Sequence, residues 1–311
     1  MAHKPAKAGV LHAASVACDL AGPIEAKTTV NDESYRFQVG RFECLSLSDG
    51  SWDYPLKNLF ANVPVEEIHE ALRRRSLPID YVTTPNSHLY VDTGEHQVLV
   101  DMGAGDYLAP RTGKLFQNMS LAGIDAAEID TVVITHAHPD HVGGALDDQG
   151  RLVCSEARYH ISKVEWSFWF SEVSREKAPE RFVHVARRYL APIQERVHLL
   201  EGESQIVPGV RAIPAPGHTP GHMAVSVSCG DEQLMYIGDT VVHPLHLEQP
   251  DWVPIYDILP EEAAASKRRI FDLAVAKKAE VMGQHFPPFP SLGTVVKNGQ
   301  GWLWQPISPH H

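Results

Sequence analysis

The chain has 311 residues, 43% hydrophobic and 21% charged, enough apolar matter for one large globular domain or two ordinary ones. Its formal net charge of −12 argues against a nucleic-acid binder or a protein that docks on anionic lipid, since both need a basic face. No apolar run approaches the ~20 residues of a membrane span, and Cys18, Cys44, Cys154 and Cys229 are too scattered for a zinc ribbon or redox pair, which points to reduced thiols.

Residues 1–34 are rich in Ala and Lys and show little periodicity, so they read as an extension or arm preceding a domain over 35–311. Lys4 and Lys7 precede a short apolar stretch, Gly9–Cys18, in the manner of an export signal. His12 interrupts that stretch and Asp19 closes it, so a cytoplasmic protein is the expectation and export the alternative. Phe37–Leu47 reads as a strand closed by Ser48, Asp49 and Gly50, and Val65–Arg75 as a short helix. Two strands, His88–Thr93 and His96–Asp101, are joined at Gly94 and Glu95, the spacing of a tight hairpin. Lys114–Ala122 is a predicted helix and Thr131–Thr135 a short buried strand. Val164–Leu200 reads as helical and gathers Trp166, Phe168, Trp169 and Phe170. Gly209–Ile213 follows as a strand, then a hairpin of Met223–Ser228 and Gln233–Ile237 turning at Gly230 and Asp231. Pro260 opens a helix over Glu261–Ala279, and a last hairpin pairs Thr294–Val296 with Trp302–Trp304. Hairpins and helices mixed along one chain without a linker predict a single layered α/β domain.

The chemistry concentrates in Thr135, His136, Ala137, His138, Pro139, Asp140 and His141, which follow the buried strand. Two histidines at i and i+2 on an extended loop point to one side, so His136 and His138 can reach one metal ion. Asp140 and His141 come where the chain turns into a helix and can face a neighbouring ion. So many imidazoles packed together would repel if charged and lack partners if buried neutral, which disfavours a merely His-rich surface loop. Three more candidates sit just past apolar strands: His218 and His222 in Pro216–His222, Asp239 after Leu234–Gly238, and His285 after Val281–Gln284. Strand ends along a sheet edge are where an α/β scaffold converges residues distant in sequence.

On these residues, together with the strand end Leu99–Gly103, the chain resembles the metallo-β-lactamase superfamily from about Phe37 to Trp304. Within it the resemblance is strongest to methyl parathion hydrolase and related lactonases, through Gly40–Gly50, Gly238–Asp251 and His285–Trp304. Glyoxalase II fits less well for want of a glutathione-binding tail, and a β-CASP nuclease lacks its extra motifs. The resemblance implies an αββα sandwich, two packed mixed β-sheets flanked by helices, with the site on one edge of the paired sheets. It implies that His136, His138 and His218 hold one metal, that Asp140, His141 and His285 hold a second, and that Asp239 bridges them. His222 and Asp101 then take supporting roles. Mixed imidazole and carboxylate ligands suit Zn2+ first, with Mn2+, Fe2+ or Co2+ as alternatives.

A hydroxide between two such cations would attack the substrate, with Asp140 shuttling the proton. Trp169 is the expected pocket tryptophan, joined by Tyr107 and Leu108, while packing of the aromatic helix on the core or in a homodimer is the competing reading. His243 and His246, close after Asp239, read as supporting or surface residues, with substrate contact as the alternative. The expected substrate is a small molecule, a lactone or similar carboxylic ester, with organophosphate triesters as a further class. The alternatives are a β-lactam or thioester hydrolase, or a non-heme iron oxidoreductase of the sulfur dioxygenase type on the same fold.

Overall fold

The computed structural model describes residues 30–31 and 33–307. In chain order the strands are β1 Val30–Asn31, β2 Ser34–Val39, β3 Phe42–Pro55, β4 Tyr81–Asp92, β5 Gln97–Val100, β6 Thr131–Ile134, β7 Arg158–Ser162, β8 Val197–Leu200, β9 Ser204–Val207, β10 Val210–Pro214, β11 Met223–Cys229, β12 Glu232–Tyr236, β13 Glu280–Met282, β14 Leu292–Asn298 and β15 Gly301–Pro306. The α-helices are α1 Leu56–Leu59, α2 Val65–Arg73, α3 Leu115–Leu121, α4 Pro139–Val142, α5 Lys163–Phe170, α6 Val173–Lys177, α7 Glu180–Leu190, α8 Leu245–Glu248 and α9 Pro260–Lys277. Strands β1 to β8 form one sheet in sequential order, and β9 to β15 form the other. Both are mixed: β5 to β8 run parallel, as do β12 and β13, and the remaining neighbours are antiparallel.

The period-2 alternation of strands dictates how these sheets stack. Leu89, Val91, Val98, Val100 and Val133 face Met223, Val225, Val227, Leu234 and Tyr236 across the gap between the sheets. Their alternates Tyr90, Leu99, Val132 and Ile134 face outward onto Leu115, Met119, Val183 and Leu190 of α3 and α7. On the other sheet Ala224, Met235 and Val281 take Ile270, Phe271 and Ala274 of α9. Each fully buried Val, Leu or Ile contributes roughly 1.5–3 kcal/mol, so a one-residue slip in a central strand would expose its whole set. The result is the expected helix–sheet–sheet–helix sandwich.

Several elements differ from the expectations. The first strand is a hairpin, because Gly40 at φ +59 lets the chain turn between β2 and β3. Ser48, Asp49 and Gly50 do not end β3 but form a bulge within it. Asp49 stays buried there because its carboxylate accepts from the N–H groups of Ala104 and Leu115, both at 2.9 Å. β4 begins at Tyr81, well before His88. The stretch read as helix from Val164 is three α-helices broken at Ser171 and Pro179, then a 3-10 helix Ala191–Arg196, and its end, Val197–Leu200, is a strand parallel to β7. Short apolar runs carry no periodicity that separates strand from helix. Val30–Asn31 pairs with β2; the rest of the segment expected to be an arm, 1–29 with Cys18 and residue 32, lies outside the described residues, apart from Glu33 and Ser34. Cys44 and Cys154 are buried, and burial pushes their thiols up, Cys154 to about 12. Among the described residues no helix is long and apolar enough to cross a membrane.

Candidate metal centre

The seven residues singled out in the sequence meet at one edge of the sandwich. After β6 the chain stays extended through His138, whose φ of −70° and ψ of 159° make it the N-cap of α4, and Pro139 opens that helix. His136 and His138 therefore project together, and Asp140 and His141 follow on the first turn. The second sheet supplies the rest: His218 from the loop after β10, Asp239 after β12 and His285 after β13.

They form two groups. His136, His138, His218 and Asp239 are one, and Asp140, His141 and His285 the other. His138 Nδ1 lies 2.9 Å from His218 Nε2. Asp239 stands between the groups: Oδ2 is 3.1 Å from His218 Nε2 and 3.9 Å from His136 Nε2, while Oδ1 is 3.5 Å from His141 Nε2 and 3.3 Å from His285 Nε2. Asp140 completes the second group, 3.4 Å from His285 Nε2 and 3.9 Å from His141 Nε2. His136 Nε2, His141 Nε2 and Asp239 Oδ1 are buried without a hydrogen-bond partner. Ligands at zinc distances of 2.0–2.1 Å in a tetrahedron stand about 3.3 Å from one another. The donor atoms thus have the spacing of a cation's coordination shell, and the residues fit a divalent metal.

The opposite nitrogens of His141, His218 and His285 are tethered, which aims the free ones inward. His141 Nδ1 is 2.8 Å from Asp101 Oδ2, and the same carboxylate accepts from Thr135 N–H and Oγ1–H, both at 2.8 Å. Asp101 is fully buried in the left-handed region at φ +62, held there by these bonds. His218 Nδ1 is 2.9 Å from Asp257 Oδ1. His285 Nδ1 is 3.2 Å from the carbonyl of Pro85. His222 has both nitrogens engaged, at 3.1 Å from Ala215 O and accepting from Asp239 N–H at 3.0 Å, so it braces the loop and does not face the cluster. Asp257 went unnoticed in the sequence, where no motif marks it.

The electrostatics follow from packing carboxylates among imidazoles. Burial pulls His285 down, but Asp239 and Asp140 outweigh it and raise it to about 10; His218 is raised to about 9 by Asp239 and Asp257 against the same burial. His141 is likewise held well above its ordinary value by Asp101, Asp239 and Asp140. His136 and His138 are driven down by burial and by neighbouring histidines. Against burial, the histidines keep Asp239 and Asp140 below the usual carboxylate range.

Over the cluster lies a cavity of about 40 Å³ walled by Tyr54, Leu59, Phe182, Val242 and Tyr256 beside the cluster itself. It is aromatic, as expected, but the aromatic residues are not those expected. Trp169 is fully buried beneath the site, its Nε1–H donating to Glu165 Oε1 at 2.6 Å and its ring 5.8 Å from that of His138. It presents no face to a substrate, which corrects the expectation of a pocket tryptophan. Tyr107 is half-buried against the outer core and does not line the cavity; Leu108 ends the same short turn, and its side chain lies outside the described set. His243 and His246 pack on Phe60, with ring centroids at 5.9 and 5.1 Å, and His246 Nε2 meets Leu59 O at 2.8 Å, so both are supporting residues.

A four-layered sandwich with a histidine and aspartate cluster at the sheet edges defines a class of metal-dependent hydrolases. The chain belongs to the metallo-beta-lactamase superfamily, whose sequence model matches residues 80–285, more than half of the chain. Among solved structures it is similar to AidC, a dizinc quorum-quenching lactonase in complex with a product, with TM-score 0.84 and 29% identity over 89% of this chain and 98% of that one. It is also similar to the hydrolase AbOPH, with TM-score 0.82 and 26% identity over 90% and 99%. An N-acyl homoserine lactonase of Bacillus cereus is 24% identical over 202 residues, 64% of this chain and 70% of its own length. These relatives agree with the lactonase-like branch expected from the sequence.

Proposed function

We propose that the protein is a dinuclear metal-dependent hydrolase that opens a lactone or cleaves a similar carboxylic ester, with organophosphate triesters as a further class. The observation that carries the reading is Asp239, whose two oxygens face two separate ligand groups. The lactonases among its relatives support the choice of substrate.

In this reading His136, His138 and His218 would hold one cation and Asp140, His141 and His285 the other, with Asp239 placed to serve both. Two divalent cations, zinc first among the candidates, would supply a hydroxide at neutral pH and positive charge for the attacked oxygen. The chain's own residues do the rest. Tyr54, Leu59, Phe182 and Val242 exclude water and take the apolar part of an ester. The Tyr256 hydroxyl oxygen accepts from Asn58 Nδ2–H at 3.0 Å, which leaves its own proton for a substrate oxygen. Asp140, on the cavity wall, is placed so that it would hold the nucleophile's proton and pass it to the alkoxide released as the acyl C–O bond breaks. The product carries one new carboxylate and one new hydroxyl.

The test is a panel of lactones, aryl esters, phosphotriesters and β-lactams assayed with zinc, manganese and cobalt. Lactone turnover should lead, and His138→Ala and Asp239→Asn should each lose bound metal and turnover together. Full lactone turnover by metal-free protein would refute the mechanism, and turnover confined to β-lactams would refute the substrate.

A further inference from the structure

Glu165 stands in the first turn of α5, where a carboxylate suits the helix dipole, yet it is fully buried. An ionised carboxylate in the interior costs several kcal/mol unless hydrogen bonds replace its water. Glu165 receives four. Oε1 accepts from Ala137 N–H at 3.0 Å and Trp169 Nε1–H at 2.6 Å; Oε2 accepts from Thr219 Oγ1–H at 2.6 Å and Gly221 N–H at 3.0 Å. Ala137 lies between His136 and His138. Thr219 follows His218. One carboxylate is therefore bonded to both loops whose histidines make the first ligand group. The approach is close, since a Cβ on Gly221 would stand 2.1 Å from the Glu165 nitrogen. The second group has different supports, Asp101 behind His141 and Pro85 O behind His285.

We propose that Glu165 is a positioning residue for the His136, His138 and His218 half of the centre: it fixes the spacing of the two ligand loops and so sets that half's affinity for a divalent cation. The inference rests on the dinuclear reading above. It separates Glu165 from an ordinary core residue, because its loss should affect one half of the centre and leave the other. Glu165→Gln keeps the size but turns an amide N–H toward the N–H of Ala137 or Gly221, setting donor against donor. Thr219→Val removes a single donor and leaves the backbone bonds in place.

The experiment is zinc titration of purified chain against a chromophoric chelator, with thermal unfolding of the metal-free proteins alongside. Wild type should take up two equivalents. Glu165→Gln should weaken one equivalent by about 10–100-fold and leave the other within about twofold; Thr219→Val should weaken the same equivalent by a smaller factor. Two unchanged equivalents in Glu165→Gln, or equal loss of both, would overturn the proposal. Should Glu165→Gln fail to fold, Thr219→Val decides alone, and unchanged affinity there overturns it. Wild type that binds no zinc refutes the metal-centre reading itself, and that result is told apart by appearing before any substitution.

Discussion

The contact between Asp257 and His218 makes a quantitative forecast. The two side chains are 6% and 2% exposed, and His218 Nδ1 lies 2.9 Å from the carboxylate while Nε2 faces Asp239. A hydrogen bond to a charged group is worth about 1.5–3 kcal/mol, and a missing partner leaves a buried ring N–H without an acceptor. At 1.4 kcal/mol per decade that is about 10–150-fold in affinity, in line with the roughly 10–100-fold typical of groups that orient a ligand. Asp257→Ala should therefore weaken zinc at the His218 position by about 30–100-fold. Asp257→Asn, which keeps an acceptor but loses the charge, should cost about tenfold. The loop itself should hold, because Ile258 N–H donates to His218 O at 3.1 Å and Leu259 N–H to Gly217 O at 2.9 Å. Chelator competition measures each equivalent near neutral pH. A change under about twofold in both variants, with thermal stability preserved, would mean that Asp257 does not orient His218 and that its proximity has no consequence.

Two further expectations follow from the same geometry. In metal-free protein His285 and His218, raised to about 10 and about 9, and His141, also raised, carry protons at neutral pH, whereas ligation needs neutral imidazoles. Cation uptake at neutral pH should thus release protons, fewer as pH climbs through 9 to 10, and apparent affinity should rise over that range; calorimetry in buffers of different ionisation enthalpy counts them, and no release near neutrality would contradict the picture. Gly217→Ala should lower the melting temperature and displace His218, because a Cβ there would stand 2.1 Å from Ala263 N at a backbone φ of +139, a strain of about 1–3 kcal/mol or more. Unchanged melting and zinc affinity in that variant would show that the loop has slack the structure does not display.

The site was legible in the sequence to unequal depth. His136 through His141 could be read from spacing alone, because an extended loop running into a helix N-terminus fixes where those side chains point. His218, Asp239 and His285 needed strand ends and family resemblance together, since each by itself is a lone polar residue after an apolar run. Glu165 and Asp257 were invisible. Their partners in the ligand loops are 28 to 56 residues away along the chain, and only the folded approach of α5 and of the segment before α9 gives them meaning. The aromatic helix misled for a related reason. Trp166, Phe168, Trp169 and Phe170 leave no polar stripe to mark the buried face, and the structure buries Phe168 and Trp169 while exposing Phe170. Alternating strands and helices foretold a layered α/β domain and the family resemblance its sandwich, but β7, β8 and β9 were not foreseeable, being short segments whose identity comes from their neighbours.

The cluster draws four of its side chains from one sheet and three from the other. A cation seated there is consequently a staple across the mouth of the sandwich, joining two halves that elsewhere meet largely through apolar packing. Chelation would then loosen more than catalysis. Amide hydrogens at the ends of β6, β10 and β12 should exchange faster, and a force pulling the sheets apart should meet its first resistance at that staple.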